Sequence, residues 1–191
     1  VLADYLTRQG MAVLRFDDRG VGKSEGVFHE ATSEDFASDV AAAIAYLKGR
    51  SEVAEIGLIG HSEGGMIAPL VATTHHDLAF IVMLAGTGIP GDEILLSQLR
   101  MFNSASEMTQ MEQKKVVKLY SEIYQLIKES NDLDALRKEL GSFLSSNWER
   151  FGESEQTGIA KEDFINAQLA QLCTLWMQFF LRHDPSEVLS K

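Results

Sequence analysis

The stretch Ile56-Gly57-Leu58-Ile59-Gly60-His61-Ser62-Glu63-Gly64-Gly65 constrains this chain more than any other. A short apolar run leads directly into Gly-x-Ser-x-Gly, and Met66-Ile67-Ala68 continue it with helical character. The order predicts a strand, a sharp turn that exposes Ser62, and then a helix. Such a turn holds its serine in a strained backbone conformation. A Cβ at either flanking glycine, Gly60 or Gly64, is expected to crowd the crossing of strand and helix.

The surrounding sequence supports an alternation of helix and strand. Leu2, Tyr5 and Leu6 have helical spacing, with Gly10 as a stop. Met11–Phe16 is a short apolar run and predicts a buried strand. It ends in a polar, glycine-rich loop, Asp17-Asp18-Arg19-Gly20-Val21-Gly22-Lys23-Ser24-Glu25-Gly26. Gly22-Lys23-Ser24 ends like a phosphate-binding loop, but Asp17 stands where that motif requires a glycine, and acidic flanks repel phosphate. Thr32, with Asp35 three residues on, reads as the N-cap of a helix to about Lys48, whose apolar face is Phe36, Val40, Ala43, Ile44 and Leu47. The helix after Ser62 is expected to reach about Thr73, and Ala79–Ala85 is a third apolar run. Three alternations of this kind predict a parallel α/β sheet with Ser62 at its carboxyl edge, where open α/β folds bind ligands.

From Gly91 to about Arg182 only helical periodicity is legible. One stripe is Val116, Leu119, Tyr120, Ile123 and Ile127, and a second is Leu133, Leu136, Leu140 and Phe143. A third is Phe164, Gln168, Leu172, Leu175, Trp176 and Phe179. These predict helix packing rather than ligand contacts. Residues 147–158 read as a connecting loop, and Pro185 ends the last helix.

Charge and composition narrow the partners. With 17 basic against 28 acidic side chains and a formal net charge of −11, the chain lacks the basic surface that nucleic acids require. No run approaches the length of an apolar membrane span. Cys173 is the single cysteine, which rules out an intramolecular disulfide; among Leu172, Leu175 and Trp176 it reads as a small core hydrophobe. The chain begins at Val1 with no targeting pattern, which reads as a piece of something longer and leaves the compartment open.

Ser62 is the candidate nucleophile. A serine hydroxyl needs a base to take its proton, an acid to hold the base, and N–H donors for the oxyanion. One donor is the backbone N–H of the following residue, here Glu63. The Glu63 side chain reads as a first-turn acid stabilised by the helix dipole. No metal or organic cofactor is required. Of five histidines, His61 adjoins Ser62 and reads as turn packing, while His75 and His76 fall at the far end of the following helix. His29 lies in a loop without a motif, and His183 ends the helical region. None is a persuasive base. Asp17 and Asp18 read as turn formers rather than as the acid.

Phe16-Asp17-x-Arg19-Gly20-x-Gly22-x-Ser24 followed by Gly60-His61-Ser62-Glu63-Gly64-Gly65 resembles the α/β-hydrolase superfamily, and most closely its esterase and serine-aminopeptidase-like branch with a helical cap. The likeness spans residues 1–91. It implies a partial α/β-hydrolase core with a nucleophile elbow in residues 1–90, an inserted all-helical cap in 91–184, and a return towards the core in 185–191. It implies an acid and a histidine beyond Lys191 and a second oxyanion donor before Val1. It also implies a further strand between Met11–Phe16 and Ile56–Gly60, so that these two runs should not pair directly. The activity implied is a serine hydrolase cleaving carboxylic esters through an acyl-enzyme on Ser62. Amide or peptide cleavage is the close variant, and a non-catalytic receptor for a small ligand is a different class. The implied partner is a small-molecule ester or amide.

Overall fold

The computed structural model of the chain describes residues 1–106, 108–151 and 158–190. Its first part contains helix α1 (Leu2–Arg8), helix α2 (Ser33–Lys48), strand β1 (Gly57–His61), helix α3 (Glu63–Ala72) and strand β2 (Phe80–Leu84). The two strands pair in parallel, with Leu58 opposite Ile81, Ile59 opposite Val82 and Gly60 opposite Met83. Helix α3 crosses from one strand to the other and packs on both, and α2 packs beside α3. Ile44 of α2 and Met66 and Val71 of α3 are buried in this layer.

Helix α2 begins as its sequence predicts. The Thr32 side chain accepts from the Asp35 N–H, and Asp35 Oδ2 accepts from the Thr32 N–H at 2.8 Å, a reciprocal capping box. Those Thr32 bonds, joined by the Arg19 guanidinium, hold the Asp35 carboxyl below its ordinary range. Arg19 also forks onto Asp39, with Nε and Nη2 each 2.8 Å from a carboxylate oxygen, while Nη2 donates to the Asp35 carbonyl. The polar loop 17–26 is therefore fastened to α2 by one planar donor group, the geometry to which arginine is suited. Ser24 Oγ donates to the Asp17 carbonyl at 2.7 Å and the Val21 N–H to the Asp18 carbonyl at 2.9 Å. These are turn-forming bonds.

The run Met11–Phe16 differs from its predicted form. It is not a strand: no described residue pairs with it, and Met11, Val13, Leu14 and Phe16 are exposed. Its apolar pattern is that of a strand, but a strand also needs a neighbour to bond, and the sheet order is β1–β2 alone among the described residues. The direct pairing with β1 that would contradict an intervening strand is absent. Helix α3 covers one face of the sheet, and on the other Ile59, Phe80, Val82 and Leu84 remain exposed.

The remainder is helical. After β2 come α4 (Gly91–Ser104), α5 (Gln110–Glu129), α6 (Leu133–Ser146), α7 (Lys161–Leu172), α8 (Leu175–Arg182) and a short α9 (Ser186–Leu189), with a 3₁₀ turn at Trp148–Arg150. The main core lies here. Leu119, Ile123 and Ile127 of α5 meet Leu136, Leu140 and Leu144 of α6, all fully buried, together with Phe164, Leu172 and Leu181. Phe151 and Phe164 meet edge to face at 5.0 Å, a favoured aromatic geometry. The first two predicted stripes are thus the packed faces of α5 and α6. The third is corrected: it is not one helix, because the chain breaks at Cys173 and Thr174 Oγ1 caps a new helix at the Met177 N–H, 3.0 Å away. The break turns the buried face to Met177, Gln178, Phe180 and Leu181 and leaves Leu175 exposed. Cys173 is half-buried, and burial pushes its thiol pKa up, away from reactivity. The expected loop at 147–158 falls at 152–157 outside the described residues, and the 185–191 segment includes one residue, 191, that does as well.

Candidate active site

Strand β1 runs into helix α3 with a single residue between them. That residue, Ser62, has φ 55° and ψ −115°, in the left-handed half of conformational space that L-residues avoid. Its N–H donates to the Leu84 carbonyl at 2.9 Å, which extends the parallel ladder into the turn, and its carbonyl accepts from the Gly65 N–H at 2.9 Å. The backbone is clamped on both sides, while the side chain is exposed and Oγ bonds to no described residue. Ala85, the first residue after β2, has φ 53°. Ser62 and Ala85 are the non-glycine residues at positive φ among those described, and each directly follows a strand. Strain gathered at one sheet edge is a mark of a functional site.

The glycines divide the steric work differently from the sequence reading. A Cβ at Gly60 would overlap the Gly64 carbonyl, so the strand and the first turn of α3 can close together only with glycine there. A Cβ at Gly65 would stand 2.6 Å from Gly86 Cα, so α3 approaches the chain after β2 only with glycine there. Gly64 itself faces open space. The expected crowding on the Gly64 side is corrected accordingly, because that Cβ position points away from the crossing.

Glu63 opens α3, so its N–H is one of the helix donors without an intrahelical acceptor. An anion beside Ser62 would meet this N–H together with the positive end of the α3 dipole. The Glu63 side chain does more than balance the helix dipole. Its Oε1 accepts from Ser33 Oγ at 2.7 Å and from Trp176 Nε1 at 2.6 Å, joining the start of α2, the elbow and α8. No local pattern announces this bond, since Trp176 lies 113 residues along the chain.

None of the five histidines bonds to Ser62 among the described residues. His29 and His61 are exposed, and His76 is exposed beyond α3. His75 Nδ1 lies 3.3 Å from the Val71 carbonyl at the far end of α3. His183 is half-buried, stacked on Phe179 at 5.7 Å, with a buried Nε2 that finds no described partner. Its carbonyl accepts from the Gly91 N–H at 3.4 Å, closing α8 onto the start of α4. Burial lowers the His183 pKa below 6.5, against the opposing pull of Asp184, Glu187 and Glu34. Among the described residues no group of three or more His, Cys, Asp or Glu side chains could hold a metal ion, and no helix is long and apolar enough to cross a membrane. The arrangement can thus present a serine hydroxyl and one oxyanion donor at a clamped turn.

Two tests follow from this geometry. Gly60→Ala is expected to abolish cooperative folding or lower the thermal midpoint steeply. Gly64→Ala, in a helix and facing open space, is expected to be neutral or stabilising by up to about 1 kcal/mol. Thermal unfolding of the two variants checks the contrast. For His183, the unfolded chain takes up a proton at about pH 6.5 while the folded chain resists it, so stability is lost as pH falls from about 6.5 through the lowered folded value. Urea unfolding between pH 7.5 and 5.5 is expected to show that loss in the wild type and a flatter profile in His183→Phe.

Comparison with known families gives a match over nearly the whole chain: the model described as serine aminopeptidase, S33, matches residues 1–181. The chain matches no curated protein and no solved structure.

Proposed function

The chain belongs to the serine aminopeptidase S33 family, one of the α/β-hydrolase families, and from that premise we propose that it is a serine hydrolase with Ser62 as nucleophile. One observation carries the reading: an exposed serine clamped at φ 55° between a strand and a helix, with the Glu63 N–H beside it. In the reaction, Ser62 Oγ attacks the substrate carbonyl carbon and the hydroxyl proton passes to a general base. The oxyanion forms facing the Glu63 N–H, the alcohol or amine leaves with a proton from the same base, and water releases the acyl group. The helical region after Gly91 is read as the cap that shapes the acyl and leaving-group sites.

Carboxylic esters are the leading substrate class. Amide or peptide cleavage is the second reading, and the family's description favours it. The two share every step up to the leaving group, so substrate profiling separates them. An aminopeptidase turns over aminoacyl anilides, with loss of rate when the α-amine is blocked, whereas an esterase prefers nitrophenyl acyl esters. A receptor turns over neither.

Covalent labelling tests the nucleophile. The complete gene product is expected to take one fluorophosphonate per chain, and Ser62→Ala to take none while keeping its thermal midpoint. A folded wild-type protein that is not labelled would contradict the proposal.

A further inference from the structure

The contacts of Glu63 reach further than a helix-capping acid requires. Ser33 is fully buried, so its hydroxyl must find an acceptor inside the protein, and Glu63 Oε1 is that acceptor at 2.7 Å. The same oxygen takes the indole N–H of Trp176 at 2.6 Å. Bonds to an ionised acceptor are the short and strong kind. Trp176 is fixed in turn by stacking on Phe180, with the rings 10° from parallel and 5.0 Å apart. Helix α8 also meets α2 and the 3₁₀ turn Phe28–Glu30, and α9 meets α3. One carboxylate oxygen therefore gathers two segments, the start of α2 and α8, onto the first residue of α3, the residue that directly follows Ser62.

We propose that Glu63 is a positioning residue: its carboxylate latches α8 and the start of α2 onto the elbow, so that seating of the helical region and orientation of the Glu63 N–H form one coupled state. Parting α8 from the elbow breaks the Trp176–Glu63 bond and frees the first turn of α3 to tilt, which moves the N–H off the oxyanion. Seating α8 restores both. The consequence falls on the chemical step rather than on binding, because the latch acts through the direction of a donor that matters once the oxyanion forms. This catalytic consequence rests on the serine-hydrolase reading; the mechanical coupling does not.

The test compares wild type, Glu63→Ala, Glu63→Gln and Trp176→Phe in the complete gene product by two readouts. The first is fluorophosphonate labelling of Ser62, resolved into a maximal rate and a half-saturating concentration. The second is amide hydrogen exchange across residues 175–182. Glu63→Ala is expected to lower the maximal rate by about tenfold or more with little change in half-saturation, a cost in line with a displaced catalytic geometry, and to speed exchange in α8. Glu63→Gln keeps an oxygen that accepts both bonds and is expected to restore most of the rate. Trp176→Phe keeps the stack but loses the N–H, and is expected to share the defect, so that the Trp176→Phe and Glu63→Ala effects combine less than additively. Wild-type labelling and exchange in Glu63→Ala would overturn the proposal, and so would a Gln variant as impaired as Ala. If wild type is not labelled, the serine-hydrolase reading fails, and exchange alone judges the latch: an α8 no faster in Glu63→Ala than in wild type refutes it.

Discussion

Two backbone approaches that tolerate no Cβ set the geometry of this site. Gly60 lets the end of β1 lie against the Gly64 carbonyl, and Gly65 lets α3 lie against Gly86. Together they allow a strand to become a helix across one residue, and that residue is forced to φ 55°. A conformation of this kind costs on the order of 1–3 kcal/mol and persists only where its surroundings over-determine it. Here the surroundings are the ladder bond from the Ser62 N–H to Leu84 and the turn bond from the Gly65 N–H to the Ser62 carbonyl. The strain leaves the serine side chain outside the packing, at the carboxyl edge of the sheet and over a helix N-terminus.

A second set of contacts holds the rest of the chain to that edge. Arg19 fastens the polar loop to α2 through Asp35 and Asp39, and Asp35 also closes the α2 cap. From the first turn of α2, Ser33 reaches Glu63, and Glu63 reaches Trp176. The segments that follow the apolar runs are thus joined by charge-assisted bonds, while the helical region carries its own aliphatic core around Leu119, Leu136 and Leu140. That core sits apart from the α/β layer, and the helical region meets this layer through the Trp176–Glu63 bond and through packing of α8 on α2 and of α9 on α3.

Much of this was legible where the signal is local. The capping box at Thr32 and Asp35 needs two residues three apart, and the demand for glycine at position 60 is set by the Gly64 carbonyl four residues on, whereas that at Gly65 is set by Gly86 beyond the next strand. The packed faces of α5 and α6 follow from 3.6-residue spacing. What escaped is non-local. Met11–Phe16 has the composition of a strand, yet pairing is a property of two segments, and no described strand pairs with it. The helix read through Leu172 and Trp176 is broken by the Thr174 cap, which re-aims Phe180 and Leu181 inward and frees Leu175. The role of the Glu63 carboxylate depends on a tryptophan 113 residues away, and the left-handed Ala85 on the end of a different strand. Gly64 shows the opposite error: the motif contains it, but in the folded chain nothing crowds it.

On the proposed reading, a strained, clamped Ser62 works against the Glu63 N–H. A crystal structure of the complete protein carrying a phosphonate on Ser62 tests it most directly. The expected result is a phosphonyl oxygen about 3 Å from the Glu63 nitrogen, within hydrogen-bond reach, with Ser62 still at positive φ. A phosphonyl group turned away from that amide, or a Ser62 backbone relaxed to negative φ, would contradict it.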